Sequence, residues 1–443
     1  MSLTRTPPAA PAPSPHRPTS GADAARDSAV DLVRAACLAA VVAVHALMVG
    51  VSLSGGEPVL DNALEPWTGF TVFSWFAQMM PLFFVAGGFA SATHFRRLRA
   101  RGVSDSGYVA SRLGRLLPVP LLAAAATVVV LSALALLGVD PDIVATAGWR
   151  MSQPLWFLGV YVLCSALVPA MLRAHERAPW LTLAALGLGI ALVDGIRFAT
   201  GVEAVGFANL LCVWLFVQQL GFFLADGVAP GPRSAVAALV AAAALVTVGA
   251  SPANLFEALN PPTAVLALLG VVQCALFAAA RPALARLAGV PAVRRAADAV
   301  NARSMTIYAW HMPVTVLLAG ALLVASDAPW GTPLPTPLSG EWWLSRPAWL
   351  VLVGVTVGCA VVAAGRLERP VLARVRLGSA LSPCRVGVAA VVAAAGVLVI
   401  LAASGALSAW VCGSAMLAAA LLLCRGRRST EGQNANAIPS STP

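Results

Sequence analysis

DLVRAACLAAVVAVHALMVG, residues 31–50, is a nearly unbroken apolar stretch that nevertheless carries Asp31 and Arg34 near its start and His45 further along. About 20 apolar residues are what an α-helix needs to cross a ~30 Å hydrocarbon layer. Ionisable side chains inside such a helix are costly and face a bundle interior or a wet cavity. The rest of the chain repeats the apolar pattern. Of 443 residues, 59% are hydrophobic and 11% charged, against roughly 25% charged in a soluble domain. Comparable runs lie at 32–51, 71–93, 116–138, 154–173, 180–196, 207–225, 234–250, 263–280, 305–325, 348–365, 386–404 and 406–424. They predict twelve spans and an all-α polytopic membrane protein.

Charge gives a test of this count that does not use hydropathy. The chain has no lysine, so its 29 basic residues are all arginine. With a cytoplasmic N-terminus, the twelve spans put 26 of these on the cytoplasmic side and leave Arg150, Arg197 and Arg346 outside, as the positive-inside rule requires. The net charge of +10 then belongs to loops facing anionic lipid, and nothing suggests a nucleic-acid partner. The expected location is the plasma membrane, multi-pass, with both termini cytoplasmic. Residues 1–25, rich in Pro, Ala and Ser, are expected to be a disordered cytoplasmic tail without a signal-peptide h-region. Residues 426–443 are expected to be a polar cytoplasmic tail. The eight cysteines form no CxxC pair and give neither a disulfide framework nor a zinc site, so no metal is expected.

The polar residues of the first span share one face. Arg34 and His45 are eleven residues apart, three turns plus about 20°, so both leave the same side of the helix roughly 16 Å apart along the axis. Asp31 is three residues before Arg34 and within pairing reach. This stripe is expected to run from the cytoplasmic interface to near the bilayer midplane. A second histidine lies in RSMTIYAWHMP, residues 303–313. Ser304, Tyr308 and His311 fall at offsets of four and three and share a face, with His311 about 10 Å beyond Ser304 and Pro313 removing a backbone donor just after it. A lone membrane histidine is more often packing than chemistry. Two histidines, each approached along a polar stripe from the cytosolic side, point to a site.

RDSAVDLVRAACLAAVVAVH, residues 26–45, resembles the first-span signature of the acyltransferase 3 family of integral membrane acyltransferases. The matching positions are Arg26, Asp31, Arg34 and His45. MPLFFVAGGFA (80–90) is similar to the family's second-span FF-x-x-S-G-F pattern, PLWFLGVYVLCSALVP (154–169) to its Leu-Trp-Phe span, and SMTIYAWHMP (304–313) to its Ser…Ile-Tyr-x-x-His-x-Pro span. The family's serine is replaced here by Gly87. Gly87 with Ser91 and Gly88 with Ala92 form small-xxx-small steps, read as close helix packing. The resemblance implies a ten-helix acyltransferase domain at 26–370, followed by two additional transmembrane helices at 371–425. It also implies transfer of an acyl group, commonly acetyl, from cytosolic acyl-CoA to a hydroxyl of a carbohydrate or similar envelope acceptor. Acyl-CoA is a co-substrate, and no permanently bound cofactor is implied.

Acyl transfer to an alcohol needs a base for the hydroxyl proton or a nucleophile to hold the acyl group. His45 is expected to serve as the base or, failing that, as a transient carrier, with His311 as its catalytic companion. Arg34, paired with Asp31, is expected to meet the CoA phosphates, for which a planar multidonor cation is suited; Arg26 and Tyr308 are the other donor-site candidates. Trp156 and Phe157 are assigned to the acceptor side. Asp61, Glu65, Asp194, Glu203 and Glu341 are read as solvated outer-loop charges, and Gln218 and Gln219 as bonds to substrate or a neighbouring helix. His16, His94 and His175 are read as interfacial or solvated. The competing class is a twelve-span secondary transporter, but the two halves show no repeat of the kind such chains carry.

Overall fold

The computed structural model describes residues 27–425 apart from 51, 55–56, 60–61, 327, 329–330, 332–333 and 375–380. The two expected tails, Arg26, Asp61 and His16 lie outside the described residues. The chain begins with α1 (Ser28–Met48), capped by the Asp27 carboxylate, which accepts from the amides of Ala29 and Val30. A small antiparallel hairpin follows, β1 (Ser52–Ser54) and β2 (Glu57–Val59). Then come α2 (Phe70–Ala77), α3 (Met80–Ala100), α4 (Asp105–Leu116), α5 (Pro118–Leu136), α6 (Pro141–Ser152), α7 (Leu155–Arg177) and α8 (Pro179–Thr200). A 3-10 turn (Glu203–Ala208) leads into α9 (Asn209–Ala225), α10 (Pro232–Thr247), α11 (Ala264–Ala288), α12 (Pro291–Ala302) and α13 (Ser304–Ser326). The last helices are α14 (Gly340–Arg374), α15 (Pro383–Ala402) and α16 (Leu407–Leu423).

Each of the twelve apolar runs is helical, the run at 71–93 being split between α2 and α3, and the chain is an all-α multi-pass membrane protein. Among the described residues, ten helices or helix pairs are long and apolar enough to span a bilayer, while α10 and α16 are shorter apolar helices. Proline opens α5, α8, α10, α12 and α15, a position where its missing N–H costs nothing. Large apolar side chains such as Leu181, Leu188 and Leu192 of α8 point outward, as expected of a surface facing lipid.

The tightest crossing joins α3 to α9. A Cβ added to Gly88 would lie 2.2 Å from the Gln218 carbonyl oxygen, and one added to Gly221 would lie 2.2 Å from that of Val85. Backbone therefore meets backbone there, as the small-residue steps lead one to expect. Gly87 instead faces the Tyr161 ring at ordinary contact distance, 3.5 Å. Between α2 and α3 the helix is broken at Gln78–Met79. The Gln273 amide of α11 braces the break, accepting from Leu82 N at 2.9 Å and donating to Gln78 O at 2.7 Å. Irregular backbone inside a membrane bundle needs this kind of internal satisfaction.

The three arginines that break the charge rule are all held. Arg150 is buried over the Trp149 ring, Arg197 donates to Glu203 and to the Ala250 carbonyl, and Arg346 stacks on Trp342. The α15–α16 hairpin is built into the bundle. Gly396 and Gly413 bring its two helices together, Gly159 of α7 makes room for Val397, and Gly148 of α6 closes on the Ser404 carbonyl.

Candidate active site

The two histidines, 266 residues apart in sequence, meet in space. His45 Nδ1 lies 2.9 Å from His311 Nε2. The ring planes differ by 9° and the centroids are 5.2 Å apart. That separation is the hydrogen bond plus two ring radii, so the rings meet edge to edge. His311 Nδ1 lies 2.7 Å from the Tyr308 carbonyl oxygen and 3.2 Å from that of Ile307. A carbonyl only accepts, so His311 Nδ1 carries the hydrogen and, in the neutral ring, Nε2 is the acceptor. His45 then donates through Nδ1 and is left with a lone pair on Nε2.

α1 ends at Met48, so His45 lies in its last turn. It lines a cavity of about 770 Å³, within the range of small-molecule sites. His311 has no exposed surface and stands behind His45, outside the cavity lining. Arg34, Trp156, Phe157 and Tyr308 line the same cavity as His45. Asp31 is not part of the lining; its carbonyl accepts from Asn301 Nδ2 of α12 at 2.8 Å.

The Leu-Trp-Phe and Ile-Tyr-x-x-His stretches come together at Phe157 and Tyr308, whose rings are 5.4 Å apart in an edge-on contact. The Tyr308 hydroxyl donates to the Pro154 carbonyl at 2.7 Å, which ties α13 to the α6–α7 elbow. Phe157 also stacks on Tyr161 and meets Phe83 and Phe84 edge-on. Trp156 leans on the buried Trp214.

Several lining residues escaped the sequence reading. Arg112 and Arg115 of α4 join Arg34 on the cavity wall, and Arg112 bonds toward the Tyr161 side chain. Their spacing of three places them on one helix face, a signal hidden by counting them only as loop charges. Gln78 and Asn260 also line the cavity, as does Ser304, already placed on the face of Tyr308. Glu368 of α14, 3% exposed, accepts from Thr306 Oγ1 at 2.7 Å and Trp310 Nε1 at 3.1 Å, pinning α14 to α13.

His175, read as interfacial or solvated, is a buried residue of α7. It lies 2.6 Å from Gln219 Nε2 and 2.9 Å from Asp226 Oδ2. Arg96 also contacts Asp226, and with Arg99 it contacts Glu176. Burial pushes the Asp226 carboxyl up, but its hydrogen bonds from Arg96 and His175 outweigh this and hold it below the ordinary carboxylate range. His94 is half-buried in α3, near Tyr108. Gln218 donates to the Cys164 carbonyl at 3.4 Å, so both glutamines bond within the bundle. Asp194 was read as a loop charge. It belongs to α8 and accepts from Asn209 and from the Ala264 amide.

Fold and site together are those of a polytopic membrane protein with an internal chamber, polar at an arginine-lined end and aromatic along one wall. Residues 27–365 match the acyltransferase domain of the acyltransferase 3 family, and the chain belongs to that family. It is a membrane acyltransferase, an enzyme of the O-acyltransferase kind, that brings together an acyl donor and an acceptor in a lipid bilayer. Neither a curated protein nor a solved structure gives a match to the chain.

Proposed function

We propose that this enzyme moves an acyl group, acetyl in the simplest case, from acyl-CoA to a hydroxyl of a carbohydrate or related envelope acceptor, with His45 as the general base. The observation that carries this reading is the His45–His311 pair at a cavity also lined by Arg34, Arg112 and Arg115. The arginine-rich end of the bundle faces the cytosol in the plasma membrane, with both termini on that side. Acyl-CoA enters there, and its phosphates sit against the three guanidinium groups. Arg34 is about 16 Å below His45 along α1, so the pantetheine arm runs up the cavity and presents the thioester at the base.

His45 Nε2 takes the acceptor's hydroxyl proton as the oxygen attacks the thioester carbonyl. The new C–O bond forms, the C–S bond breaks, and the proton passes from Nε2 to the departing sulfur, releasing ester and CoA thiol. During the step the positive charge on His45 is shared through Nδ1–H with His311 Nε2, whose orientation the Tyr308 carbonyl fixes. Trp156 and Phe157 bound the acceptor side of the chamber.

The test is transfer and hydrolysis of radiolabelled acetyl-CoA by the purified protein in lipid nanodiscs. His45→Ala should lose turnover by about 10²- to 10⁴-fold, the usual worth of a positioned base. Arg34→Ala and Arg112→Ala should raise the acetyl-CoA KM. Undiminished turnover in His45→Ala would remove the base, and absence of any acyl-CoA binding by the wild type would remove the donor.

A further inference from the structure

Part of the cavity wall comes from outside the acyltransferase domain. α15 begins at Pro383, beyond residue 365, yet its Ala394, Val397, Leu398, Leu401 and Ala402 line the same cavity as His45. All five are apolar, and from the first to the last the helix rises roughly 12 Å. The outer end of this wall lies beside α6. A Cβ on Gly148 would come 2.5 Å from the Ser404 carbonyl, and one on Gly405 would come 3.2 Å from Ala145. Trp149 of α6 and Leu398 of α15 both line the cavity and keep 47% and 56% of their surface accessible. An acetyl group bound at His45 needs no such wall.

We propose that the part of the cavity lined by α6 and α15, its α15 branch, holds the hydrocarbon chain of a substrate, so that α15 sets which chain lengths the enzyme accepts. This rests on the acyl-transfer reading above. The chain arrives on the acyl donor or as the tail of a lipid-borne acceptor, and the apolar wall recognises either by the same chemistry. Each buried methylene strengthens binding about fourfold.

The experiment measures binding to the full chain in nanodiscs. One arm compares octanoyl-CoA with acetyl-CoA, and the other compares dodecyl glucoside with methyl glucoside. Ala402→Phe fills the branch and Leu401→Ala widens it. The expected result is a preference of the wild type for the longer chain in at least one arm, cut tenfold or more by Ala402→Phe and moved toward longer chains by Leu401→Ala. The arm that responds identifies the carrier of the chain. No preference in either arm, or a preference that neither variant alters, overturns the proposal. Failure of the protein to bind either acyl-CoA would instead count against the donor assignment, and the glucoside arm would still report on the branch.

Discussion

His311→Ala tests the histidine pair most sharply, because it removes a partner that touches neither cavity nor substrate. His311 Nε2 accepts a hydrogen bond from His45 Nδ1 at 2.9 Å. That bond becomes charge-assisted when His45 holds the proton, and hydrogen bonds to charged groups contribute about 1.5–3 kcal/mol. At 1.36 kcal/mol per tenfold in rate, its loss lowers kcat about 10- to 150-fold. The acyl-CoA KM should stay where it is, because Arg34, Arg112 and Arg115 are untouched. His311→Gln, whose amide oxygen still accepts from His45, should recover most of the rate. The assay is steady-state acetyl-CoA consumption by nanodisc-embedded variants matched for folded protein by size exclusion. Because His311 acts through His45, the double variant His45→Ala/His311→Ala should be no slower than His45→Ala alone. A second full drop in the double variant, or a rise in KM with kcat intact, would refute the coupling.

Other expectations follow from geometry already described. Gly221→Ala puts a Cβ 2.2 Å from the Val85 carbonyl and forces α3 and α9 apart, at a cost of about 1–3 kcal/mol, whereas Gly87→Ala meets only an ordinary contact; thermal unfolding in detergent should separate the two. Tyr308→Phe deletes the donor to the Pro154 carbonyl and should lower stability by about 0.5–1.5 kcal/mol. An unchanged melting temperature with a raised acyl-CoA KM would assign that hydroxyl to the donor instead. The Asp226 carboxyl is held below its ordinary value, so its stabilising effect is full above the ordinary carboxylate pKa and fades as pH falls through the lowered native value. Melting curves from neutral to acid pH should show that loss in the wild type and a weaker one in Asp226→Asn.

The helical scaffold was legible because a membrane span announces itself by length and apolarity alone. α4, α6 and α12 were not, since they are short and mix polar with apolar residues, and no bilayer-crossing requirement marks their ends. The α2–α3 break was hidden for a different reason: its stabilising group, Gln273, is nearly two hundred residues away. His45 and His311 could be singled out from their depth and their polar stripes, but not their contact, which depends on how α1 and α13 pack. His175 was misread because its partners, Gln219 and Asp226, come from α9 and the residue that follows it. Arg112 and Arg115 carried a readable helical spacing that the charge count obscured. The place of α15 on the cavity wall had no sequence signal at all, since alanine, valine and leucine read alike whether they face lipid or a substrate.

The meeting of α1 with α13 also orders events in the life of the chain. His45 enters the membrane with the first helix, and the ring that holds it follows 266 residues later; the wall from α15 comes later still. On the roles proposed, the nascent chain carries its base unsupported, and its chamber open on one side, until those helices arrive. A ribosome stalled anywhere before α13 leaves a harmless membrane fragment rather than a half-built esterase draining the cell's thioesters. Activity in such a protein is a certificate of completed insertion.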